Sequence, residues 1–294
     1  MFKRILSVLV AVCLMFTLAS IGMAKSSKDS IIISEKKEMI FDKKITDSCH
    51  ASTVLPLDDG TVIAAWFGGS SEKKNDVNIY TSVRTEEDGW SEPVVVSAAA
   101  EIAHWNPVLF QKEDGTVILY FKVGKDTDYW QTYYATSTDG RSWSTPKELV
   151  PGDNSGGRGP AKNNPIRLKN GTVLAPASTE IDGKWKAFVD ISTDDGKTWS
   201  KTSVIDSSFL GFFKVPMIQP TLWESKDGSV HMLTRTKLGK IYRSDSLDGG
   251  KTWCRAYATN LPNNNSGIDL DTDDSGRIFL AYNPVGIPGI RTPL

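Results

Sequence analysis

The side chains in this 294-residue sequence that could grip or cleave a polar substrate are scattered along the chain rather than gathered in one motif. Three are candidates for moving a proton. Asp76 follows Lys73-Lys74-Asn75 and precedes the alternating segment Val77 to Val83, Glu180 directly follows Ala177-Ser178-Thr179, and His50 opens the apolar-alternating run His50 to Pro56. A second set has the chemistry of substrate binding: Asn106, Lys122, Lys162, Asn163, Gln219, Arg235 and Arg291. Cations pair with a carboxylate, amides pair with hydroxyls, and the tryptophans between them supply an apolar wall for the C–H face of a ring. That combination suits a sugar, and its positive charge suits an acidic one. His50, His104 and His231 show no ligand spacing, so neither a metal nor another cofactor is expected.

Such scattered groups act together only if the fold converges them, and the sequence contains the device that does so. Ser192-Thr193-Asp194-Asp195-Gly196-Lys197-Thr198-Trp199 recurs as Ser246-Leu247-Asp248-Gly249-Gly250-Lys251-Thr252-Trp253, both reading S-x-D-x-G-x-T-W. A shorter form runs from Ser137 to Trp143, and Glu87-Asp88-Gly89-Trp90 keeps the end of the pattern. The Asp accepts the loop's own N–H groups, the Gly takes a positive φ, and the Trp plugs the turn from below. The tryptophans at 90, 143, 199 and 253 are 53, 56 and 54 residues apart. In phase with them run tight hairpin signals at Asp59-Gly60, Asp114-Gly115, Asn170-Gly171, Asp227-Gly228 and Ser275-Gly276. A repeated unit of about fifty residues with four strands buries its apolar face only against neighbouring copies, which is the definition of a β-propeller blade.

The repeats are expected over about 50–97, 104–150, 161–205 and 217–259, with a fifth opening near 264. In a blade the first strand begins where the second strand ends. These two sets of residues therefore meet at one end of the central channel. Sorted by that rule, all ten candidates fall on the same end of the ring. Several also have a plainer reading: Asp76 as a turn former, Lys162-Asn163-Asn164 as a capped loop, and His50 as a structural bond to a neighbouring blade.

Outside the repeats, Lys3 and Arg4 precede an apolar run that ends near Gly22-Met23-Ala24, so residues 1–24 read as a secretory signal and the protein as exported, extracellular or periplasmic. A membrane is expected to be met only through that segment, if it is left uncleaved. Residues 25–44 read as a linker and a closing strand, Ile31 to Phe41, ahead of a propeller over 45–294. Without the signal the chain carries 32 basic and 35 acidic side chains and no basic stripe, which excludes a nucleic-acid partner. Cys49 and Cys254 belong to distant repeats and are expected to be unpaired and packed.

The Asp-boxes together with His50-Ala51-Ser52-Thr53, Trp66-Phe67-Gly68-Gly69, Trp105-Asn106-Pro107-Val108-Leu109-Phe110, Lys162-Asn163-Asn164-Pro165-Ile166 and Gln219-Pro220-Thr221 resemble the sialidase (neuraminidase) superfamily. They are most similar to its secreted "predicted neuraminidase" branch with bacterial neuraminidase repeats, over about residues 45–294. The resemblance implies a six-bladed ring of four-stranded blades, of which this sequence is expected to lack the C-terminal part. It also implies a secreted exo-acting glycoside hydrolase that releases a terminal acidic sugar from a glycan or oligosaccharide. In that family an Arg cluster holds the substrate carboxylate, a Glu-assisted Tyr is the nucleophile and an Asp is the acid. The nucleophilic Tyr comes late in the family's sequences and is expected beyond Leu294. The family's Arg-Ile-Pro motif, ten residues before the first hairpin Gly, is here His50-Ala51-Ser52. An imidazole does not reproduce the bidentate guanidinium fork. Two other functions therefore stay open: a non-catalytic glycan-binding propeller, and a lyase acting on uronates in which His50 abstracts a proton.

Overall fold

Asx turns set the hairpins. The side chains of Asp59, Asp114, Asn170 and Asp227 each accept the N–H two residues on, at 2.9 to 3.0 Å, while the following Gly takes φ 84°. An L side chain is strained in that conformation, so glycine punctuates each repeat. In the computed structural model, which describes residues 36–209 and 213–290, the strands form where these turns place them. Met1–Met39 and Ile40–Leu294 are separate units, and every blade belongs to the second.

Blade 1 contains Ser48–Pro56, Val62–Gly69 and Asn78–Thr85, with the outer pieces Gly89–Trp90 and Val94–Val96 both paired to the third strand. Blade 2 contains His104–Gln111, Val117–Val123, Gln131–Ser137 and Lys147–Glu148; blade 3 contains Ile166–Arg167, Val173–Thr179, Lys186–Ser192 and Ser200–Lys201. Blade 4 contains Met217–Glu224, Val230–Thr236, Lys240–Ser246 and Tyr257–Pro262, and the hairpin Asp269–Thr272 with Ile278–Ala281 opens a fifth. All pairings are antiparallel. The fold is all-β and propeller-like, with four blades described, three of them four-stranded and the first with its outer strand in two pieces. A short hairpin, Ser208–Phe209 with Phe213–Lys214, lies between blades 3 and 4 and carries no repeat signature in the sequence. Of the closing strand expected at 31–41, residues 36–41 are not a strand, and residues 31–35 lie outside the described residues, as does the signal segment.

The core lies between blades. Ile63, Phe67 and Ile79 of blade 1 pack with Leu109, Leu119 and Phe121 of blade 2. Val108, Ile118 and Tyr120 of blade 2 pack with Val173 of blade 3, whose Leu174 and Val189 pack with Met217 and Met232 of blade 4. Trp223 and Ile241 of blade 4 then meet Ile268 and Leu280 of the fifth hairpin. Second strands have neighbours on both faces, which explains their unbroken apolar runs.

The Asp-boxes form as the sequence implies. Ser192 Oγ donates to Asp194 at 2.8 Å and accepts the Gly196 N–H at 2.8 Å, while Asp194 accepts from Thr198 N–H at 2.9 Å and Oγ1 at 2.6 Å. Ser246, Asp248, Gly250 and Thr252 repeat this set at 2.8, 2.9, 2.9 and 2.6 Å. The tryptophans do more than plug their own turns. Trp199 meets Tyr120 of blade 2 edge-on at 6.2 Å, and Trp143 Nε1 donates to Thr81 Oγ1 of blade 1 at 3.1 Å. A Cβ on Gly250 would lie 2.6 Å from Leu174 Cδ1 of blade 3. Each box therefore clamps its blade to the preceding one.

Asp194→Ala is expected to lower unfolding stability by about 1–2 kcal/mol in a denaturant titration, by analogy with loss of a helix cap. The hydrogen bonds from Ser142, Thr198 and Thr252 hold the carboxyls of Asp139, Asp194 and Asp248 down to about 2. A depressed folded value stabilises the fold above the unfolded value of 3.8 and that contribution is lost as pH falls towards 2. Thermal midpoints should thus be flat above pH 5 and drop between about pH 4 and 2; a box-wide Asp→Asn variant should lack part of that drop.

One packing expectation changes. Cys49 and Cys254 are free as expected, but both are exposed rather than packed, because they fall at strand and loop edges. His231 does pack, 4.7 Å from the Trp223 ring, and also bonds Ser225 Oγ at 2.7 Å and Asp245 at 2.5 Å, partners that mid-strand position alone did not reveal.

Candidate functional site

The first strands of three blades break register at the same point, between His50 and Thr53, Trp105 and Val108, and Ile218 and Thr221. In each break one residue turns left-handed: Ala51 at φ 51°, Asn106 at φ 41° and Gln219 at φ 51°. Pro107 and Pro220 follow two of them. A bulge re-aims a side chain, and left-handed backbone costs a non-glycine residue on the order of 1–3 kcal/mol. All three residues line one cavity, which is what the strained backbone achieves.

That cavity, of about 290 Å³, is also lined by His50, Glu72, Trp105, Thr127, Trp130, Lys162, Glu180 and Arg235. Its residues come from the starts of first strands and from the second-strand ends and the loops after them, the convergence that blade topology dictates. Arg235 donates to Gln219 Oε1 at 2.8 Å and to Asn265 Oδ1 at 3.2 and 3.3 Å, and its guanidinium lies 5.3 Å from the centre of the Trp185 ring. Asn106 Nδ2 donates to the Ala161 carbonyl at 3.0 Å. Lys162 Nζ donates to Asn163 Oδ1 at 2.8 Å, and burial depresses its ammonium below the ordinary lysine value against the pull of Asp269. Burial raises the carboxyl of Glu180 above its ordinary 4.5, with the charges of Arg235 and Lys237 opposing. His50 is exposed and stands edge-on to Phe67 at 5.6 Å.

A half-buried carboxyl that keeps its proton into mild acid, beside two cations and two indoles, can hold an anionic sugar and donate a proton to a leaving oxygen. Six of the ten residues singled out in the sequence meet here: His50, Asn106, Lys162, Glu180, Gln219 and Arg235.

Three do not. Lys122 is 1% exposed, and its Nζ donates to Thr132 Oγ1 at 2.6 Å and to the Arg158 carbonyl at 2.8 Å; burial pushes its ammonium down to about 7. It ties its blade to the loop leading into blade 3 and does not line the cavity. Asn163 is likewise 1% exposed, and its Nδ2 donates to the carbonyls of Gln219 and Pro220 at 3.2 and 3.0 Å, joining blades 3 and 4. Asp76 closes its own loop by accepting the Ser70 N–H at 2.9 Å and Oγ at 3.0 Å, so Glu72 of that loop reaches the cavity in its place. Arg291 lies outside the described residues.

Sequence reasoning did not single out Glu72 and Thr127, although each lies in a loop after a second strand, at the end of the blades where the cavity lies. Choosing among residues of one loop requires its backbone path, which no local signal supplies. His104, beside Trp105 of the cavity, is buried; Nδ1 lies 2.9 Å from the Ile102 carbonyl and Nε2 accepts the Ala98 N–H at 3.0 Å.

Residues 60–294 match the BNR repeat-like domain family. No curated protein matches the chain. Among solved structures, it is similar to a protein of unknown function from Dyadobacter fermentans, with a TM-score of 0.66 at 18% identity over 80% of this chain and 74% of that one. It is also similar to the NanB sialidase of Streptococcus pneumoniae, TM-score 0.64 at 15% identity over 85% of this chain and 59% of that one. A leech intramolecular trans-sialidase, solved with 2,7-anhydro-Neu5Ac, gives a TM-score of 0.63 at 15% identity over 84% of this chain and 58% of that one. The chain thus spans less than two thirds of the length of these two enzymes. With four described blades, their Asp-boxes and a matched region that covers most of its length, the chain belongs to the BNR repeat-like domain family.

Proposed function

We propose that this protein is an exported glycosidase of sialidase type, which binds the terminal acidic sugar of a glycan in the channel-end cavity and releases it. The observation that carries this reading is the meeting of Lys162, Arg235 and Glu180, whose carboxyl burial raises above its ordinary value, in one cavity of about 290 Å³. In this reading Arg235, held in place by Gln219 and Asn265, pairs with the sugar carboxylate. Lys162 supplies the second positive charge, Trp105 and Trp130 face the ring, and Asn106 and Gln219 meet hydroxyls. Glu180 donates its proton to the glycosidic oxygen, and His50 or Glu72 assists the attacking group. The six-bladed ring of the resemblance belongs to the same proposal; it is supported by blade-to-blade packing that continues from blade 4 into a fifth hairpin.

The test is release of free sugar from sialylated and uronate-terminated oligosaccharides, followed by chromatography, with the ultraviolet absorbance of the products read in parallel. Liberated acidic sugar without absorbance supports hydrolysis. An unsaturated product would instead select a lyase, and saturable binding with no product at any pH a glycan-binding propeller.

A further inference from the structure

The hairpin that brings Glu180 to the cavity also walls a second one. Strand Val173–Thr179 stops just before Glu180, the chain turns through 181–183, and it returns as Lys186–Ser192 with Thr179 opposite Lys186. The returning limb lines a cleft of about 320 Å³ whose buried lining includes Ile205, Val215 and Met217 and whose exposed lining includes Lys184, Lys186 and Lys214. Trp185 belongs to this cleft, and its ring is approached by Arg235, a residue of the first cavity, at 5.3 Å and by Lys237 at 3.9 Å. Lys184 has Asp182 at 3.8 Å, whereas Lys186 and Lys214 form no ion pair among the described residues.

Nothing in the central site requires this arrangement. An apolar, partly enclosed wall beside an indole excludes water and accepts the C–H face of a pyranose. The exposed lysines around its rim supply positive charge for an anion and make the attraction salt-dependent. The cleft is similar in size to the first cavity, and Trp185 in its wall has Arg235 of the first cavity 5.3 Å from its ring centre, so the two are neighbours. We propose that the cleft is a second sugar subsite, which takes the next anionic unit, carboxylated or sulfated, of an acidic glycan whose terminal unit occupies the central cavity. The proposal rests on the central cavity holding that terminal sugar and specifies the substrate class: a chain of acidic sugars rather than a single acidic cap on a neutral one.

Calorimetric titration of the full chain tests it with two series of probes: sialic acid with its α2,8-linked dimer and trimer, and glucuronate with chondroitin sulfate di- and tetrasaccharides. Affinity should rise about tenfold or more from one sugar to two in at least one series, the size of one added charge-assisted contact. The series that shows the rise identifies whether carboxylate or sulfate is read. The double variant Lys186→Gln with Lys214→Gln should abolish the rise and reduce the salt dependence, with single-sugar affinity unchanged. Equal affinity for one and two sugars in the wild type, or a rise that survives the double variant, overturns the subsite. Single-sugar binding without a rise leaves the central reading standing while the cleft falls. Binding of only the longer probes, lost in the double variant, upholds the cleft and overturns the central reading. No binding of any probe overturns both.

Discussion

Glu180→Gln should reduce sugar release by about 100- to 10,000-fold, the usual worth of a positioned general acid, while binding of the free acidic sugar is retained. The glutamine keeps the volume and a hydrogen-bonding oxygen but cannot deliver a proton. Burial raises the Glu180 carboxyl above 4.5, so its protonated form persists into mild acid. An acid must be protonated to act. Turnover in the wild type is therefore expected on the acid side and to fall as pH rises through that raised value. The pH profile is the decisive measurement: Glu180→Gln should lose this descending limb along with its rate. A variant that keeps the same limb would show that another group donates the proton.

Asp190→Ala should destabilise the protein by about 3–5 kcal/mol, the cost of leaving a buried charge without its partner. Asp190 is fully buried and accepts from Arg158 Nε at 3.0 Å and Nη2 at 2.6 Å, and from the Gly159 N–H at 2.6 Å. Arg158 is 8% exposed and reaches one further carboxylate, Asp153, at 2.7 Å. Its carbonyl is also an acceptor for Lys122, so the loop from 153 to 159 and a third buried charge depend on the same pair. Urea unfolding should show the loss directly. The apolar double variant Asp190→Leu with Arg158→Met should recover much of it, since an ion pair in the interior gains little over well-packed apolar groups of similar volume. If Asp190→Ala alone were neutral, the pair would be hydrated and the interior account of Lys122 would fall with it.

The repeat architecture was legible because it is written in local chemistry. An Asx turn needs Asp or Asn followed by a left-handed Gly, an Asp-box needs its Ser, Asp and Trp at set spacing, and both recur every fifty-odd residues. Blade topology then predicts which strand ends converge, and this is why His50, Asn106, Lys162, Glu180, Gln219 and Arg235 could be placed together from the chain's order alone. What failed was depth. Lys122 and Asn163 sit at the right end of the right strands, yet a neighbouring blade closes over each, and a packed neighbour leaves no mark on the sequence beside it. Asp76 failed differently, because a carboxylate four residues beyond Glu72 satisfies the loop backbone instead of the cavity.

By itself the sequence determined the all-β repeat, the positions of its hairpin turns and the end of the blades where polar groups gather, since turns and strand alternation are settled within a few residues. The tertiary structure alone decided which of those groups face the cavity, that three first strands bulge to aim Ala51, Asn106 and Gln219 into it, and that Trp185 of a lysine-rimmed cleft packs near Arg235 of the cavity. These outcomes depend on contacts between blades fifty or more residues apart in sequence, where packing and desolvation, not local propensity, choose the side chain's surroundings.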